Sequence, residues 1–130
     1  MKFTHAFAAL GYELTSPRTD WSAERENGVC LSLWSREIRW GRGEGAFDTR
    51  HDAMPIDTWN HKPGFKKRLR HIQRAVDELD GRIDVVLVSG QPGHGYEDAD
   101  PWKPELRKGA WIIEYFEPDT GHFVARMTAL

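Results

Sequence analysis

Trp21 and Trp34 bracket a stretch of sequence, WSAERENGVCLSLW, in which Arg25 and Ser32 alternate with small and apolar residues, and Arg36 follows just beyond it. Indole rings with cations and a hydroxyl beside them suit the stacking of a flat ring and the holding of its polar edge. An aromatic side chain contributes about 1–3 kcal/mol per stacked base. Trp59 offers a third indole in a later, glycine- and proline-rich segment. Lys66, Lys67, Arg70 and Arg74 recur at helical spacing and could neutralise phosphates. Each feature also has a purely structural reading. Paired tryptophans stiffen a hairpin by roughly 0.2–1 kcal/mol, the face that carries them can pack under a helix, and a basic helix side is often only a solvated face.

Other chemistries find less support. His51, His61 and His71 lie ten residues apart and His94 and His122 are scattered, so none has the short spacing of a zinc site. A metal-dependent nuclease would need converging carboxylates; Asp84 and Glu114, on neighbouring candidate strands, and the loop acids Glu97, Asp98 and Asp100 are the candidates. There is no G-x-S-x-G nucleophile motif. The lone Cys30 excludes an internal disulfide and reads as a small buried hydrophobe. No catalytic residue, metal ligand or cofactor is assigned. Whether the chain is an enzyme stays open, with the balance toward a non-catalytic module.

Composition sets the frame for these residues. At 130 residues with 39% hydrophobic and 29% charged positions, the chain reads as a single globular domain spanning 1–130. A net charge of −2 argues against a generally basic nucleic-acid coat. The charge is uneven, however, with Lys and Arg concentrated between residues 36 and 74 and acids between 77 and 100. No signal peptide or membrane-length apolar run is visible, which points to the cytoplasm and to no membrane partner.

The elements that would position the aromatic and basic residues can be read in order. Phe3, Phe7 and Leu10 mark a short N-terminal helix over 2–10, stopped at Gly11. Tyr12–Thr15 is a possible short strand. Asn27-Gly28 predicts a two-residue type I′ turn, so that Arg25 faces Cys30, Ala23 faces Ser32 and Trp21 faces Trp34. Val29, Leu31 and Leu33 then share the core face, and Arg36, Ile38 and Trp40 join the opposite face if the strand runs on past Ser35. Residues 41–63 read as a long loop. Phe65, Leu69, Ile72, Val76 and Leu79 form one apolar stripe of a helix over 62–79, with Lys66, Lys67, Arg70 and Arg74 on its other side and Arg68 as a further candidate for that side. Arg82–Ser89 is a central strand, residues 90–109 a second loop, and 110–116 with 122–127 a closing hairpin. The fold class is α+β: a curved mixed or antiparallel sheet or partly closed barrel, with one long amphipathic helix and a short N-terminal one.

The pattern from Trp21 to Trp34 resembles one found in small bacterial and phage proteins with a PUA-like architecture, a group of curved barrels that includes modified-base readers and RNA-binding modules. The helix–strand stretch FKKRLRHIQRAVDELDGRIDVVLV matches in general shape. The resemblance implies a pocket for a flipped base lined by Trp21, Trp34 and Trp59. The function expected is thus non-catalytic DNA or RNA binding, with Arg25, Ser32 and Arg36 beside the base and Lys66, Lys67, Arg70 and Arg74 on the backbone. A small metal-dependent nuclease or hydrolase and a protein-interaction module are the alternatives. The oligomeric state is left open.

Overall fold

The computed structural model describes residues 1–51, 56–92 and 95–129. Among these residues three α-helices, α1 (Phe3–Ala9), α2 (Pro63–Glu78) and the short α3 (Pro104–Arg107), accompany eight strands. These are β1 (Ser22–Arg25), β2 (Gly28–Trp34), β3 (Ile38–Gly41), β4 (Glu44–Asp48), β5 (Arg82–Gly90), β6 (Tyr96–Pro101), β7 (Gly109–Phe116) and β8 (Phe123–Ala129). They form one mixed sheet in the order β1-β2-β5-β7-β8-β4-β3, with β6 pairing the later part of β5. The β2–β5 pair is parallel and every other pair antiparallel. The sheet is open, with β1 and β3 at its ends. No helix among the described residues is long and apolar enough to cross a membrane.

Strand β5 is central, as four successive apolar residues require: Val85 to Val88 are all buried, on both faces. On one face Val29, Leu31 and Leu33 join Val85, Leu87, Trp111, Phe123, Phe47 and Ile38 beneath Ile72 and Ala75 of α2. Strands β2, β5, β7, β8, β4 and β3 all contribute to that one cluster. On the other face Ala6 and Phe7 of α1 cover Ala23, Cys30, Val86 and Val88, together with Tyr12. Burial pushes the Cys30 thiol pKa well up, which leaves it an inert core side chain.

The first hairpin departs from the expected register. Arg25 pairs with Gly28, Ala23 with Cys30 and Ser22 with Leu31, so the two-residue loop is Glu26-Asn27 rather than Asn27-Gly28. Gly28 serves space, not a positive φ: a Cβ there would fall 2.2 Å from the Tyr12 Oη and 2.8 Å from the Arg25 Nε. The type I′ signature appears instead at Arg42-Gly43, both with positive φ, between β3 and β4. The register has slid by two residues, which is one side-chain period, so the aliphatic trio still faces the core. Trp21, however, no longer stands opposite Trp34.

Further corrections follow from backbone pairing. The strand does not run past Ser35; a 3₁₀ turn at Ser35–Glu37 breaks it, after which Ile38 is buried and Trp40 stacks on Trp102. Tyr12–Thr15 forms no strand, although Tyr12 and Leu14 are buried. The stretch 41–63 holds β4, and 90–109 holds β6 and α3. In α2 the buried face runs through Gly64, Phe65, Arg68, His71, Ile72 and Ala75, while Val76 is exposed.

Candidate functional site

At the open end of the β1–β2 hairpin lies a cleft of about 700 Å³. Phe3 of α1, Trp34 of β2 and Tyr96 of β6 contribute to its lining, as do Trp21, Trp59 and Arg68. Ser32, Leu33, Phe47 and Val88 also border it. Its size falls within the range of small-molecule and cofactor sites, about 300–1,000 Å³. Among the described residues that line it, Lys2, Arg18, Lys62 and Arg68 are cationic and Asp20 and Glu37 acidic.

Local contacts fix the indoles. The Trp21 carbonyl accepts both the Ser32 N–H at 2.9 Å and the Ser32 hydroxyl at 2.8 Å, which anchors the chain just before β1. The Trp21 ring turns toward the start of α2 and meets Trp59 edge-on, centroids 5.7 Å apart. Gly64 makes room for it: a Cβ at that position would lie 2.7 Å from the indole and 2.4 Å from the Thr19 carbonyl. Glycine inside a helix costs roughly 0.8–1.0 kcal/mol relative to alanine, and this close approach explains its presence. Trp34 stands elsewhere, partly buried against the cluster that α1 covers, as are Phe3 and Leu10. Trp21 and Trp34 therefore share the cleft as separate walls rather than as a cross-strand pair.

Arg68 is the feature that helix periodicity misplaced. It is 7% exposed on the buried face of α2. Its guanidinium carbon lies 5.1 Å from the Trp21 ring centroid, 4.9 Å from that of Trp59 and 4.9 Å from that of Phe123. Three rings around one cation make a strong cation–π arrangement. Trp21 and Phe123 lie far from Arg68 in sequence, and no local pattern announces the assembly.

The remaining candidates divide. Trp21, Ser32, Trp34 and Trp59 border the cleft, whereas Arg25 and Arg36 do not. Arg25 lies over the Tyr12 ring at 4.8 Å and pairs with Asp84 at 3.7 Å. Asp84 also accepts the Tyr12 hydroxyl at 2.6 Å; burial first, then this bond, raises the Tyr12 pKa. Arg36 is exposed in the 3₁₀ turn. Of the basic stripe, Lys66 and Arg70 are exposed. Lys67 is committed to Asp20, 2.9 Å away and 4% exposed. Burial alone would raise the Asp20 pKa, but hydrogen bonds from Lys67, the Ser16 amide and Thr15 outweigh it and hold the carboxyl below its usual range. Arg74 clamps the hairpin by donating to the carbonyls of Arg25 and Glu26 and pairs with Glu78 at 3.0 Å.

A second polar cluster joins β1 to α2. The Ser22 hydroxyl lies 2.6 Å from the His71 Nδ1, and the His71 Nε2 lies 3.6 Å from a Glu24 carboxylate oxygen. The residue types suggest a nucleophile, base and acid. Ser22 is only 1% exposed, so a substrate has no approach to its oxygen. The cluster acts as a buried polar tie, and burial lowers the His71 pKa. Among the described residues no three His, Cys, Asp or Glu side chains gather as a metal site would need. Asp84 is engaged by Tyr12 and Glu114 by Arg126, and His94 lies outside the described residues. No protein-family model, curated protein or solved structure matches this chain.

Proposed function

We propose that the chain is a non-catalytic nucleic-acid-binding domain whose cleft receives a single extruded base, in the manner of the PUA-like readers that its hairpin sequence resembles. One observation carries the reading: an open cleft of about 700 Å³ with indoles on more than one wall and cations in its lining. Trp21, Trp34 and Trp59 supply flat apolar surface for a base taken out of its stack. Ser32 acts indirectly, by holding the Trp21 backbone. Lys2, Arg18 and Lys62 stand where phosphates flanking the base would pass, and the exposed Lys66 and Arg70 extend that cationic track along α2. Lys67 and Arg74 belong to the scaffold, as do Arg25 and its partner Asp84.

The test is fluorescence anisotropy with labelled single- and double-stranded oligonucleotides at about 50 and 200 mM salt. Three neutralised phosphates on a single strand give a slope near −2 in log K against log salt, so affinity falls roughly 20-fold between those conditions. Absence of binding to every strand form at the lower salt ends the proposal. Parallel incubations with Mg²⁺ or Mn²⁺ expose any cleavage, the outcome a hydrolase would give.

A further inference from the structure

We propose that Asn27 is a modification site: its side-chain amide deamidates spontaneously to aspartate and isoaspartate, at a rate set by how often Arg74 releases the β1–β2 hairpin. The inference is independent of the nucleic-acid reading and starts from the chemistry of one peptide bond. Asn27 is one of two asparagines in the chain, and the one that a glycine follows. With no Cβ on Gly28 to hinder it, the Gly28 nitrogen can attack the Asn27 Cγ. The N–Cγ bond forms, the Cγ–Nδ2 bond breaks, and the amide nitrogen leaves as ammonia with the proton from Gly28. Water then opens the resulting succinimide at either carbonyl. One opening gives aspartate, and the other gives isoaspartate, which lengthens the backbone by one carbon.

The fold decides how fast this happens. Asn27 is exposed in the two-residue loop Glu26-Asn27, whereas Gly28 is buried at the start of β2 and paired with Arg25. Neither loop residue takes a positive φ, so the loop lacks the type I′ geometry that best matches strand twist. A side chain from outside the hairpin holds it instead. Arg74 of α2 donates from Nη1 to the Arg25 carbonyl at 2.7 Å and from Nη2 to the Glu26 carbonyl, and its Nη1 lies 3.5 Å from the Gly28 carbonyl. The Tyr12 and Arg25 side chains fill the space beside Gly28. One guanidinium thus grips carbonyls on both sides of Asn27, and the Gly28 nitrogen cannot swing toward Cγ while that grip holds. Ring closure waits on a local opening of the hairpin. A hydrogen bond from a charged donor contributes about tenfold or more to keeping it shut.

The test follows both asparagines by peptide mass spectrometry over days at mildly alkaline pH, in the folded wild type, in the urea-unfolded chain and in Arg74→Gln. Near-UV circular dichroism reports whether the variant keeps its aromatic packing. In urea, Asn27 is expected to convert well before Asn60, whose neighbour His61 hinders the same ring closure. Folding slows Asn27 by about tenfold or more, and folded Arg74→Gln regains roughly tenfold of that rate. An Asn27 that stays intact in urea removes the site. Conversion as fast in the folded wild type as in urea overturns the proposal, because the hairpin then restrains nothing. A wild-type rate in folded Arg74→Gln overturns it as well, since the restraint then lies elsewhere. Should the variant lose its packing, the wild type decides through its urea dependence below the unfolding transition. A rate that rises with a slope much shallower than that of global unfolding supports local release of the hairpin, and the full global slope overturns it.

Discussion

Two groups of three tryptophans sit in this molecule, and their contrast separates packing from a candidate site. Trp40, Trp102 and Trp111 form one. Trp40 stacks on Trp102 at 5.8 Å, and Trp111 meets both edge-on. Trp102 and Trp111 are buried, the Trp102 indole donates to the Gly109 carbonyl at 2.9 Å, and Arg107 lies 4.8 Å from the Trp102 ring. Only Trp40, 50% exposed, faces solvent. Trp21, Trp34 and Trp59 form the other group, half-buried around an open cleft. Both groups hold an arginine against an indole, so cation–π contact by itself marks neither as functional. What differs is space: the first triad fills its volume with its own rings, and the second leaves a volume unfilled.

Replacement within the filled group gives the largest expected effect. Trp111→Ala removes a ring 1% exposed at the centre of the main core and is expected to cost about 3–5 kcal/mol of stability, read as a lowered urea midpoint. Trp34→Ala, at the cleft, costs about 1–2 kcal/mol because its ring is only half buried. If the two losses came out equal, the distinction between a sealed and an open triad would collapse.

Lys67→Met comes next and separates scaffold from ligand contact. It strands the buried Asp20 carboxylate, and loss of one partner of such a pair destabilises by about 2–3 kcal/mol once the partial exposure of Lys67 is allowed for. As a phosphate contact, Lys67 would show the reverse pattern, with intact stability and a shallower salt slope.

The binding counterpart is smaller in free energy. Trp34→Ala is expected to weaken oligonucleotide affinity by about 1–3 kcal/mol, the contribution of one stacked base, while Trp40→Ala leaves it within twofold. Anisotropy titration of both variants checks the pair. An equal loss from Trp40 would move the nucleic-acid surface to the other triad.

These contrasts show what was legible in the chain. The core face of β2 could be read because a slip of two residues preserves side-chain parity, so Val29, Leu31 and Leu33 point inward under either register. The pairing partner of Trp21 could not, since Asn27-Gly28 advertises a turn while Gly28 in fact yields room to Tyr12. Strand β6, YEDADP, carries no alternation and exists through its pairing with β5. Trp21, Trp34, Trp59 and Ser32 were readable as aromatic and polar candidates. Arg68 was not, because its neighbours Trp21 and Phe123 are distant in sequence and hydropathy assigns an arginine to the wet side of a helix. Lys67 and Arg74 looked like phosphate ligands because a helical wheel shows which side a cation is on but not the acid or carbonyl folded against it.

The smallest expected effect is a pH dependence confined to one triad. Burial lowers the His71 pKa, so the folded state holds this imidazole neutral more firmly than the unfolded chain does, where it titrates near 6.5. Protons then bind the unfolded state preferentially, and the associated stability is present above about pH 6.5 and is lost as the pH falls below it toward the folded value. Asp20, also depressed, contributes in the same sense but only at lower pH, below about 4. His71 and Asp20 tie β1 and the segment before it to α2, the elements that hold Trp21 and the ring cage around Arg68. Acidification from pH 7.5 to 5.5 is therefore expected to lower the melting temperature and to shift the ¹⁹F resonances of 5-fluorotryptophan at 21 and 59 before those at 102 and 111. His71→Gln flattens the stability profile over that window. Uniform movement of all the indole signals would mean that the two triads respond as one body, and that the tie between β1 and α2 has no local hold on the cleft.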